Sequence, residues 1–187
     1  MFIGIDSINE KSKNIVNNAV KDYQTMREND RIEKANSLKP GENLGFATNR
    51  GFYSSNNMNK CDSILAGYRA ELNGLLNDVK TEIKRKTAEP PTTEQANLLV
   101  ALSVGKPTKE ELQNAIENNI SNYATFSALN RLAAENGYYF DNKSPVDDLR
   151  DVEFSLSNNI NRLYITNAEN TLTPTAVQFV DFMQGVF

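Results

Sequence analysis

The amino-acid sequence predicts an all-α fold of about seven helices, a long N-terminal helical hairpin followed by a compact cluster of short helices. Three observations predict it. Apolar residues recur at three- and four-residue spacing over long stretches, Ser or Thr followed three positions later by Glu or Gln marks several helix starts, and clusters of proline and glycine punctuate the gaps. The chain has 187 residues, a formal charge of −4 and 39% hydrophobic residues, enough to bury a sizeable core. Its mean hydropathy is −0.54.

Residues 1–7 alternate around Phe2-Ile3-Gly4-Ile5, a pattern that fits a short strand or a docking arm. From Ser7 the pattern turns helical. Ile8, Ile15, Ala19, Tyr23 and Met26 form one stripe, with Lys11, Lys13, Lys21, Asp22 and Glu28 on the opposite face. Ser7 and Glu10 fit a capping box, and the thin apolar stripe beyond Met26 places the later turns in solvent. Residues 39–59 break every periodicity with Pro40, Gly41, Gly45 and Gly51, so they are expected to form a long loop. Residues 41–58 are expected to be mobile in the free protein and to order on a partner through Phe46, Phe52 and Tyr53. Its glycines match no phosphate-binding fingerprint.

The clearest periodic signal follows. Cys61, Leu65, Tyr68, Leu72, Leu75 and Val79 are spaced as the a and d positions of a heptad seam, which Ile64, Leu76 and Ile83 widen toward a globular helix face. Asp62 near the start and Lys80, Lys84, Arg85 and Lys86 near the end suit the helix dipole, a better account of that basic run than nucleic-acid binding. Ala88-Glu89-Pro90-Pro91-Thr92 reads as a linker, dividing a 1–91 part from an acidic 92–187 part.

Beyond the linker, Thr92 with Gln95 and Thr108 with Glu111 are capping boxes opening two short helices. Leu98, Leu99, Ala101 and Leu102 are the expected buried residues of the first, and Leu112, Ala115, Ile116 and Ile120 of the second. Ser121 is placed to cap a third, carrying Tyr123, Phe126, Leu129 and Leu132 and stopped by Gly137. A three-helix cluster invites a helix-turn-helix DNA reading. With Arg131 as the one basic residue of its third helix, the cluster lacks the phosphate contacts that reading needs. Ser144-Pro145 then opens a helix over 145–165, and Thr173-Pro174 a last one carrying Val177, Val180 and Met183. Tyr138, Tyr139, Phe182 and Phe187 join Phe46, Phe52 and Tyr53 as candidate partner-binding residues.

The chemistry that composition excludes is extensive. With no histidine, serine and cysteine triads, HExxH zinc chemistry and ordinary structural zinc sites are all removed. The single cysteine, Cys61, sits on the apolar seam and permits no intrachain disulfide. Asp147, Asp148, Asp151 and Glu153 are dense enough to suggest a cation, but acids in a first helical turn are what the dipole favours. No catalytic residue, cofactor or metal ligand is nominated, and the chain reads as a non-enzyme without a membrane span or signal peptide. Its 26 asparagines fit codon bias in an AT-rich genome.

The stretch YRAELNGLLNDVKTEIKRKTAEPPTTEQANLLVAL, followed by TKEELQNAIENNISNYATFSALNRLAAENG, resembles small uncharacterised head-region proteins of tailed phages of Gram-positive bacteria. The resemblance covers residues 68–137. It rests on the order of long helix, Pro-Pro linker and capped short helices, and on Asn122, Tyr123, Phe126, Ala128 and Leu129. It implies a non-catalytic virion or assembly protein in the host cytoplasm or the particle, acting through helix faces and the 39–59 loop. Its expected partners are proteins, by self-association or within a larger assembly, and neither membrane nor nucleic acid. The alternative is a small intracellular inhibitor, such as a phage counter-defence protein, that binds a host factor.

Overall fold

In the computed structural model, which describes residues 2–45 and 51–164, six helices and no strand are formed among the described residues. They are α1 (Ile5–Asn36), α2 (Ser55–Thr87), α3 (Thr93–Val104), α4 (Lys109–Asn118), α5 (Tyr123–Glu135) and α6 (Pro145–Arg162). The strand offered for residues 1–7 is not formed among the described residues, because the first helix already begins at Ile5. The helix expected from Thr173 lies outside the described residues.

The described chain falls into two compact units. One comprises Ile3–Leu76 with 155–164, the other Phe2 and Asn77–Phe154. The division does not follow the Pro90-Pro91 linker; α2 and α6 each contribute residues to both units.

In the first unit α1 and α2 pair antiparallel. Asp22 accepts a hydrogen bond from the Tyr68 hydroxyl at 2.6 Å, and Asp30, two turns further along α1, accepts one from the Asn57 amide at 2.9 Å. Ile8, Ala19, Val20 and Tyr23 on α1 are buried, as are Cys61, Leu65, Leu72 and Leu76 on α2 and Leu156, Ile160 and Leu163 from the chain's later part. The start of α1 differs from the capping-box expectation. Gly4, at φ 88°, turns the chain into the helix with no side-chain cap, so Ser7 and Glu10 lie inside it. The α2 seam differs as well. Tyr68 and Leu75 are half-buried while Arg69 and Leu76 are buried, because a helix packing into a globular core follows its 3.6-residue period rather than a heptad. The buried Arg69 has a defined task. Its guanidinium donates to the Leu163 carbonyl at 2.8 Å and to Asp62 at 3.1 Å, and lies 4.3 Å from the centre of the Tyr164 ring. It thereby supplies a donor and a positive charge just past the end of α6, where carbonyls lack partners.

In the second unit Leu112, Ala115 and Ile116 of α4 pack with Phe126, Leu129 and Ala133 of α5. The spacing of these residues puts each set on one helix face. Both threonine capping boxes are present in full: Thr92 with Gln95 opens α3 and Thr108 with Glu111 opens α4. The cap of α5 is Asn122 rather than Ser121. Its carbonyl oxygen accepts from the amide and hydroxyl of Thr125, both at 2.9 Å, while its Nδ2 donates to the Pro90 carbonyl at 3.1 Å. A carboxamide accepts and donates at once, so one buried side chain caps a helix and fastens the linker. The fully buried Ser144 opens α6 in a reciprocal arrangement with Asp147.

Candidate protein-interaction surface

Helix α3, TEQANLLVALSV, carries no charge after Glu94. Its apolar residues Leu98, Leu99, Val100, Ala101, Leu102 and Val104 are too closely spaced to share one face. Leu98, Leu99 and Leu102 pack partly against the α4–α5 cluster, yet no residue of α3 is buried. Val100 and Val104 remain 63% and 84% exposed, one turn apart. Between α3 and α5 runs a groove of about 260 Å³, walled by Leu99, Val100 and Ser103 on one side and by Ala128, Arg131, Leu132 and Glu135 on the other. Arg131 and Glu135 form an exposed pair at 3.8 Å, a contact of little energetic weight that leaves both heads available at the rim. The surface thus has an apolar floor and a polar edge, the composition that protein contacts use.

The residues nominated from the sequence are distributed differently. Phe52 is corrected outright: at 2% exposure it is a core residue, meeting Tyr23 edge-to-face with ring centres 5.8 Å apart. An apolar ring in a loop beside a helical aromatic gains more by packing in its own unit than by facing water. Tyr53 is half-buried, its hydroxyl donating to the Gly45 carbonyl at 3.1 Å. Tyr138 is half-buried and packs with Phe140 on the α4–α5 cluster, whereas Tyr139 is 83% exposed. Phe46, Phe182 and Phe187 lie outside the described residues. In α3, Ala101 is exposed and not buried as expected, and Val100 and Val104 were missed. Their signal was available: a short helix apolar on more than one face has more apolar surface than one core contact covers.

Three carboxylates of the 147–153 group are engaged by protein donors. Asp147 binds the Ser144 amide and hydroxyl at 3.0 and 2.8 Å, Asp151 binds Lys143 at 3.0 Å, and Glu153 lies 3.9 Å from Lys80. Among the described residues no three carboxylate or thiol groups converge as a metal site would require. A second hollow, of about 240 Å³, is lined by Gln24, Arg27, Glu28, Arg31, Gly51 and Tyr53. Its charges are largely engaged within it: Arg31 pairs with Glu28 at 2.7 Å and Arg27 Nε donates to the Gly51 carbonyl at 3.3 Å. No described helix is long and apolar enough to cross a membrane. Comparison with protein-family models, curated proteins and solved structures returned no match.

Proposed function

We propose that this chain is a non-catalytic interaction protein of a phage particle or its assembly, working through helix faces, the α3–α5 groove first among them. One observation carries the reading: α3 is strongly apolar, is fully capped, and buries none of its residues. A capped apolar helix left half-covered has surface to give to another protein. The resemblance of residues 68–137 to phage head-region proteins spans this whole surface. The occupant is a second copy of the chain. From Gln95 to Gly105 α3 bears no charge, so two such faces meet without like-charge repulsion, as a two-fold contact requires.

The test is the double substitution Val100→Asp and Val104→Asp. Both side chains stand in solvent, so the melting temperature is expected to stay nearly unchanged. Light scattering should find the wild type larger than a monomer at ~100 µM and the variant monomeric, a micromolar association being well populated there. A strictly monomeric wild type would remove self-association from the reading. Mass spectrometry of purified particles then checks the assembly role, and absence at every assembly stage would sink it.

A further inference from the structure

The tip of the α1–α2 hairpin is held differently from its body. On α2 no residue from Ser55 to Lys60 is buried, and burial begins at Cys61. On α1 every residue from Arg31 to Asn36 is exposed, and the last buried one is Asp30, at 1% exposure. The position of Asp30 continues the spacing of Ala19, Tyr23 and Met26, so a carboxylate stands where the stripe would place an apolar side chain.

That carboxylate reaches across to the start of α2. It accepts from the Tyr53 amide, from the Ser54 amide at 3.1 Å and from Asn57 Nδ2 at 2.9 Å. Asn57 Nδ2 also donates to Glu33 at 2.8 Å. The first turn of α2 contains no acidic residue of its own. Ser54 caps the helix itself, its hydroxyl accepting the Asn57 backbone amide at 3.3 Å, and Asp30 adds from α1 the negative charge that the first turn lacks. Next to it, Phe52 rests on Tyr23, and Gly51, at φ 80°, lies so close to Arg27 that a Cβ would run into the guanidinium. Tyr23, Arg27, Asp30 and Glu33 thus form one line along α1 that fastens residues 51–57.

We propose that Asp30 is a latch: residues 51–60 form a strap that opens from α1 as a unit, independently of the pairing beyond Cys61, and opening uncovers the Phe52 and Tyr23 rings. The strap is held by the Asp30 carboxylate, by the Asn57–Glu33 and Arg27–Gly51 hydrogen bonds and by one ring contact, whereas the pairing beyond it rests on a continuous apolar core, so the two parts separate at different cost. The latch does not depend on the α3–α5 groove and stands or falls separately from it.

Hydrogen exchange on the full chain tests it. In the wild type, amides of 51–60 are expected to exchange through a local opening insensitive to low denaturant, while those of 61–79 follow global unfolding. Asp30→Ala should lower protection across 51–60 by roughly tenfold to a hundredfold, the span that losing buried hydrogen bonds to a carboxylate allows, and leave 61–79 unchanged. Asp30→Asn should fall between, because its carboxamide keeps one acceptor but turns a second donor toward the amides. Chymotrypsin should cut Asp30→Ala after Phe52 or Tyr53 faster than the wild type. The latch is overturned if the wild type exchanges as a single unit from 51 to 79, if protection at 51–60 is unchanged by Asp30→Ala, or if that variant unfolds as a whole.

Discussion

Cys61 illustrates how position on a helix face sets the chemistry of a single side chain. It is 1% exposed, and burial, followed by the negative charges of Asp62 and Asp22, pushes its thiol from 9.0 up to about 11. The thiolate is the reactive species, so a shift of that size cuts its fraction by roughly a hundredfold at neutral pH. The expected outcome is that a thiol reagent labels the native protein at least that much more slowly than the denatured protein, measured by absorbance or mass. Labelling at similar rates in both states would show that Cys61 is accessible. Tyr68 is tuned by the same neighbour: its hydrogen bond to Asp22 comes first among the causes that move its phenol to about 12.

At the scale of elements, the helix starts are the strongest local determinants. Thr108→Ala removes a cap whose hydroxyl accepts the Glu111 amide at 3.2 Å, and should cost about 1 kcal/mol in urea denaturation. Glu111 answers in kind. The Thr108 amide and then its hydroxyl hold the carboxyl below its ordinary 4.5. A depressed carboxylate pKa contributes stability that is complete above the unfolded value and disappears as the pH falls through the folded one. The stability given by this box should therefore fade as acid is added below pH 4.5, and Glu111→Gln, which removes the titrating carboxyl, should flatten that part of the acid titration. An identical acid profile in wild type and variant would count against the assignment. Arg85 lowers Glu82 on α2 in the same direction, chiefly through its hydrogen bonds.

For the whole molecule, the acidic group at 147–153 makes the sharpest test of what the fold does with charge. Asp147 serves the start of α6 and lies 3.4 Å from Arg150, and Asp151 pairs with Lys143. Carboxylates already matched to protein donors gain little from a cation. Addition of a chelator is expected to leave the melting temperature unchanged, by calorimetry; a fall of several degrees would reveal a bound cation. At this scale the α3–α5 groove also matters most, since it is the surface through which the molecule is proposed to meet its own copy.

Local rules determined much of this protein from sequence alone. The all-α class, the loop after α1, the linker at Pro90-Pro91 and the starts of α3, α4 and α6 follow from apolar spacing, glycine and proline, and hydroxyl caps, because each acts within about four residues of itself. Tertiary structure decided what depends on a distant neighbour. Phe52 reads from the sequence as a docking ring, but Tyr23 covers it, and Asp30 falls in turns that read as solvated, but the start of α2 meets it. Asn122 displaced Ser121 as a cap because it also had the Pro90 carbonyl to bind. Val100 and Val104 stayed exposed because α4 and α5 fill their shared core with their own side chains, which leaves the outer face of α3 uncovered. Periodicity tells which residues share a face; only the packed chain decides which faces are met.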